Sequence, residues 1–179
     1  MRPITDSEQE ILKRLLSMEF EGAAVFRTQA MHILGVESDC ICGCPSIKIH
    51  VDRAKAAPAL GIRILPTELE ELSRAGGVPS SVLCLLDRDG YLANLECVYY
   101  DEVVTDWPAS NRSAIVLRDS ARNVSAVLLP SGVLVNPHKE GDSWISFREE
   151  KLGFTATTRT GWTETYDATG RLVSRALIE

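Results

Sequence analysis

The run Ser81-Val82-Leu83-Cys84-Leu85-Leu86, followed by Asp87-Arg88-Asp89-Gly90, constrains the fold more than any other stretch. A strand that is apolar at nearly every position has to be covered on both faces, so it belongs inside a sheet rather than at its edge. The residues that end it are turn residues. Aspartates bond to nearby backbone amides, and glycine supplies a positive φ. Residues 91–100 resume as the partner strand, with Tyr91, Ala93, Leu95, Cys97 and Tyr99 on one face and Leu92, Asn94, Glu96, Val98 and Tyr100 on the other. Cys84 and Cys97 read as core residues of this hairpin. Asp87, Asp89 and Gly90 also open a calcium-loop pattern, but its later ligands and closing glutamate are missing, which leaves a turn.

Ahead of this hairpin the chain reads as helical. Thr5-Asp6-Ser7-Glu8 matches a capping box, and Ile11, Leu12, Leu15 and Leu16 follow at helical spacing, which predicts a helix over 5–19. Glu21-Gly22 breaks it. A second helix is predicted over 23–34, with Gly35 as its stop. Ile47, Ile49 and Val51 alternate with Lys48, His50 and Asp52, the pattern of a half-buried strand with His50 outward. Ile62–Leu65 reads as a strand. Residues 67–72 are ambiguous: their glutamates favour helix, and Ala75-Gly76-Gly77 would end one.

Residues 101–112 have linker composition. Beyond them, short strands separated by Pro130-Ser131-Gly132, Gly141-Asp142, Gly161 and Asp167-Ala168-Thr169-Gly170 predict a meander. The fold class expected is α+β: an N-terminal helical hairpin packed on an antiparallel sheet, followed by a mostly β meander. Two units are expected, residues 1–105 and 112–179, the second either a small all-β domain or an extension of the sheet. Tyr166 to Leu172 resembles one unit of the tyrosine-aspartate repeats of large toxin shells, but a single copy is better explained as a hairpin.

Charge is uneven. Residues 1–107 carry 17 acids and 10 bases, and residues 108–179 carry 8 acids and 9 bases, which together give the net charge of -6. An acidic first half argues against nucleic acid as a partner and suits a basic protein. No apolar run reaches bilayer length, so no membrane is expected as a partner, and five cysteines (an odd number) suit a reducing, cytoplasmic compartment better than a disulfide framework. The Asn-x-Ser matches at Asn111 and Asn123 then carry no glycosylation meaning.

One segment could hold chemistry. Asp39-Cys40-Ile41-Cys42-Gly43-Cys44-Pro45-Ser46 places three thiols in five residues. In an extended strand Cys40, Cys42 and Cys44 would share a face and could bind a soft metal such as zinc or copper(I). His32, Asp39 and His50 are the nearest candidates for a fourth ligand, and His50 joins the three cysteines as the metal-site expectation. Against this, zinc knuckles use Cys-x2-Cys pairs, and Gly43 and Pro45 bend the segment. Buried packing cysteines and a redox-active thiol are the competing readings.

The run Cys-x-Cys-Gly-Cys-Pro-Ser-Ile, with Phe20-Glu21-Gly22 upstream and the hairpin strand Tyr91-Leu92-Ala93-Asn94-Leu95-Glu96 downstream, resembles a group of small uncharacterised actinobacterial proteins over residues 5–102. The resemblance implies a fold, with a strand at 67–72, and brings no activity with it.

Phosphate-binding glycine loops and nucleophile elbows are absent, and His32, His50 and His138 all read as surface residues. A Cys44–His50 catalytic pair would need the loop to fold back on the strand. No catalytic residues are expected. The leading expectation is therefore a non-catalytic cytoplasmic interaction protein, of the kind that an acidic immunity or inhibitor protein presents to a basic toxin. The alternative is a zinc-binding or thiol-redox protein built on Cys40, Cys42 and Cys44.

Overall fold

The computed structural model describes residues 1–59, 61–71, 80–99, 103–139, 142–150 and 153–178. Among them, two short helices, α1 (Asp6–Leu15) and α2 (Ala23–Met31), precede twelve strands. These are β1 (Ile33–Ser38), β2 (Ile47–Val51), β3 (Thr67–Glu71), β4 (Ser81–Leu86), β5 (Leu92–Val98), β6 (Ser113–Arg118), β7 (Val124–Leu128), β8 (Leu134–Val135), β9 (Trp144–Glu150), β10 (Gly153–Thr158), β11 (Trp162–Asp167) and β12 (Leu172–Leu177). All belong to one antiparallel sheet in the order β1-β2-β5-β4-β3-β6-β7-β9-β10-β11-β12, with β8 paired to β7. The fold is α+β, and mostly β. No helix among the described residues is long and apolar enough to cross a membrane.

Local chemistry explains the helix boundaries. Thr5 caps α1 as a true capping box: its Oγ1 accepts from Glu8 N at 3.4 Å, and Glu8 accepts from Thr5 N at 2.8 Å. Burial alone would push the Glu8 carboxyl up. The Arg2 guanidinium and the Thr5 donors outweigh that and hold it below the usual carboxylate range. The helix stops at Leu15, short of the expected residue 19, and Arg27 reaches back to cap its trailing carbonyls, Leu16 O at 2.8 Å and Met18 O at 2.9 Å.

The second helix also ends early, and Gly35 is no helix stop. Ile33–Ser38 forms β1 against β2, with Val36 opposite Ile49. Residues 1–2 lie across it, bridging Arg2 to Val36, so that a Cβ on Gly35 would sit 2.7 Å from Met1 Cγ and 2.8 Å from Arg2 O. The glycine is there for close approach, a tertiary demand that no local pattern announces.

β4 runs between β3 and β5, as its apolar run requires, with Val82, Cys84 and Leu86 buried on one face. The predicted alternation along β5 is corrected at its start. Leu85 pairs with Asn94 but Leu86 with Leu92, so Ala93 is an extra residue, and this bulge brings Leu92 to the same core as Leu95. Of Ile62–Leu65 only an isolated bridge, Ile64 to Leu85, is formed. Thr67–Glu71 is a strand, and its glutamates are accommodated by cations of the later half. Glu68 pairs with Arg118 and Arg122, Glu70 with Arg118 at 2.7 Å, and Glu71 with Arg112 at 3.7 Å. Residues 75–77, expected to end a helix here, lie outside the described residues.

Two cores lie on either side of the shared strands. Ile11, Leu12, Leu15 and Phe26 from the helices join Val36, Leu69, Val82, Leu95 and Ile115 in the first. Ala114 and Val116, the alternate residues of β6, belong to the second with Val127, Phe154 and Tyr166. Trp144 is fully buried there, edge-on to Phe154 and Tyr166. Its Nε1 donates to the buried Glu164 at 2.9 Å, as does Tyr166 OH at 2.8 Å, and Arg175 approaches at 3.1 Å while lying over Trp162. The β3–β6 ladder thus joins residues 1–105 to residues 112–179 by backbone hydrogen bonds, with the irregular residues 103–109 and a single 3-10 turn, Ser110–Arg112, leading into β6.

Candidate functional site: the cysteine loop

The cysteine segment is the loop of the β1–β2 hairpin. Ser38 pairs with Ile47, and Asp39 N donates to Ser46 O at 3.1 Å, which closes the loop at its base. Asp39 also accepts from Asn94 of β5 at 2.6 Å, tying the loop to the next strand. Gly43 has φ +87, which turns the chain between Cys42 and Cys44 with an unstrained residue. At the tip Ile41 is fully exposed, an unusual position for a large aliphatic side chain.

This geometry brings Cys40, Cys42 and Cys44 together. Their sulfurs all lie within 4.8 Å of one another. Cys40 and Cys42 are joined as a disulfide, with Cα atoms 5.5 Å apart, while Cys44 carries a free, buried thiol. The grouping therefore arises from a folded-over loop rather than from one face of an extended strand.

Hydrogen-bond donors surround the sulfurs. Cys42 N lies 3.2 Å from Cys40 Sγ, and Cys44 N lies 3.5 Å from Cys42 Sγ. The Tyr99 hydroxyl, from the end of the hairpin partner strand, donates to Cys42 Sγ at 3.5 Å. Cys44 Sγ donates to Ser46 Oγ at 3.3 Å, and that oxygen also accepts the amide of Cys97 at 3.0 Å. Tyr99 and Ser46 were not singled out from the sequence. They come from the far strand and from the loop exit, and only the β2–β5 pairing brings Tyr99 near.

Other predicted residues lie elsewhere. His50 Nε2 faces Glu37 Oε1 at 3.5 Å, and among the described residues the close set of ligand atoms consists of the three cysteines. His32 caps the end of α2, and the amide of His138 donates to Glu164. Cys84 and Cys97 are buried, and burial pushes the Cys84 thiol up to about 12, so it is chemically quiet.

Beside the loop runs a groove of about 780 Å³ between α1 and residues 105–111, reaching Pro45. Its charged lining is Arg2, Asp6, Glu8, Glu10 and Asp106, four carboxylates against one guanidinium. Arg2 is bound to Glu8, whereas Asp6, Glu10 and Asp106 form no ion pair among the described residues.

Set against family models, curated proteins and solved structures, the chain matches none.

Proposed function

We propose that the protein works through its β1–β2 loop as a thiol–disulfide protein. The observation that carries this reading is the Cys40–Cys42 disulfide, half-buried at Cys40 and exposed at Cys42, with a third thiol, Cys44, within 4.8 Å of it. A disulfide in a reducing compartment is characteristically transient and functional rather than a structural staple. Cys42 is the exposed sulfur, so a dithiol reductant attacks there and Cys40 leaves as the thiolate, received by the Cys42 amide. The reductant's second thiol then releases Cys42. Two electrons and two protons pass to the loop, and the reductant becomes the disulfide. Alkylation with mass-spectrometric mapping at controlled thiol–disulfide ratios tests this. The Cys40–Cys42 bond opens and closes reversibly if the reading is right, and stays wholly open or wholly closed if it is wrong.

A second reading is favoured by the groove. Its excess of carboxylates suits a basic protein partner, the acidic immunity or inhibitor role, without catalysis and in the cytoplasm. A stoichiometric complex from native cells that is lost on charge reversal of Asp6, Glu10 and Asp106 supports it. A complex indifferent to that reversal removes the groove from the account.

A further inference from the structure

We infer that the reduced loop is a binding site for a soft monovalent cation, copper(I), held by the sulfurs of Cys40, Cys42 and Cys44. The inference rests on the reading above only in that the disulfide has to open, because closing it removes two of the three donors. Metal loading and loop oxidation therefore exclude one another.

Three features of the loop specify the ion. The first is spacing. Bonds of about 2.3 Å to an ion at the centre of three sulfurs require them about 4 Å apart. With Cys40 and Cys42 bonded the three sulfurs lie within 4.8 Å of one another, so the spacing asks only that the opened pair move apart. The second is ligand number. Structural zinc takes four ligands, but the close set among the described residues has three. His50 is turned to Glu37 and Asp39 is bound by Asn94, so neither neighbour completes a tetrahedron. Three thiolates with no fourth donor among the described residues suit a soft d10 ion content with trigonal coordination.

The third is charge. Three thiolates and one monovalent cation leave two negative charges, which the site has to stabilise. The amides of Cys42 and Cys44 and the Tyr99 hydroxyl already point at sulfur. Ser46 adds a fourth donor in the metallated state. Its oxygen is held by the Cys97 amide, so once the Cys44 thiol loses its proton the Ser46 hydroxyl hydrogen can turn to that sulfur. Cys44 is buried while Cys40 and Cys42 reach solvent, so the ion enters from the exposed side onto a fixed inner ligand.

The test uses the full chain, chemically reduced under anaerobic conditions, and copper(I) supplied as a coloured chelate of known affinity. One ion per chain is withdrawn from the chelator, with ultraviolet sulfur-to-copper charge-transfer absorption and an X-ray absorption shell of three sulfurs. Cys40→Ser, Cys42→Ser and Cys44→Ser each weaken binding at least tenfold, Cys84→Ala leaves it unchanged, and the oxidised chain withdraws none. Tyr99→Phe, which keeps all three ligands and the ring, weakens binding severalfold. Failure of the reduced chain to compete, equal binding by the triple serine variant, or a four-ligand zinc site preferred over copper(I) overturns the inference. Since the loop is reduced chemically here, failure to take copper leaves the thiol–disulfide reading standing. Copper uptake by a loop whose disulfide does not cycle with biological thiols refutes that reading alone.

Discussion

Replacing Arg118 by methionine probes the seam that joins the two halves of the chain. Arg118, on β6, pairs across the ladder with Glu68 and Glu70 of β3 and also donates to Arg122 O at 3.1 Å. The Glu68 side chain is 8% exposed and that of Glu70 21%. Removing the guanidinium leaves Glu68 with Arg122 alone and Glu70 with no cation among the described residues. Deleting one partner of a buried ion pair costs about 3–5 kcal/mol. Glu68 keeps Arg122, and Glu70 is only partly buried, so the lower end applies, about 3 kcal/mol at neutral pH. For a chain of this size that is a fall in Tm of roughly 6–12 °C. The loss depends on pH. Burial raises the Glu70 carboxyl even with Arg118 present, so folding already favours its protonated form, and stability falls as pH rises through the carboxylate range. Without Arg118 the carboxyl rises further and that fall steepens. The difference between parent and variant is therefore small in acid and full near neutrality. Urea unfolding of both proteins across that range measures it. A difference under 1 kcal/mol at neutral pH, or one that does not shrink in acid, refutes the reasoning.

Other substitutions test other supports. Thr5→Ala removes one arm of the capping box and costs about 1 kcal/mol by urea unfolding. Because Glu8 is held below its unfolded value, its contribution is present above the carboxylate range and lost as pH falls through it, which acid titration of Glu8→Gln against the parent detects. Gly90→Ala forces a Cβ to 2.0 Å from Ala59 O at φ +87 and lowers stability by roughly 2–4 kcal/mol, read by thermal unfolding. Gln29→Leu removes the bonds from its fully buried amide to Ala57 O and Gly90 O and the acceptor for Leu92 N. Gly90 O keeps the Ala59 amide and Ala57 is exposed, so the buried Leu92 N dominates a cost of roughly 2 kcal/mol on the same readout. In the native protein after reduction, maleimide modifies Cys42 rapidly while Cys84 stays unmodified until unfolding, checked by peptide mapping.

What could be read along the chain was local. The Thr5–Glu8 capping box, the Asp87–Gly90 turn, and the β-rich run after residue 112 are encoded in residues a few positions apart, and each formed where expected. What escaped was set by partners distant in sequence. β1 exists because residues 1–2 and β2 flank it, although Gly35 reads as a helix stop. Residues 67–71, ambiguous by composition and expected as strand from the resemblance alone, are strand, with Arg118 and Arg122 neutralising glutamates that, taken alone, favour helix. The Ala93 bulge reversed a face assignment that strict alternation supports. At the loop, the sequence marked Cys40, Cys42 and Cys44 correctly as one group. It could not give the disulfide between the first two, the turning of His50 toward Glu37, or the approach of Tyr99, because each depends on how the loop folds over its hairpin.

The most direct test of the loop's role is a redox titration of the full chain in glutathione buffers, with differential alkylation of Cys40, Cys42, Cys44 and Cys84. Cys40 and Cys42 are expected to change state together, as a two-electron couple with a midpoint between about −300 and −180 mV. Cys84 stays a thiol throughout. Independent labelling of Cys40 and Cys42 as unpaired thiols at every potential would contradict that expectation, as would a bond that no buffer in that range opens.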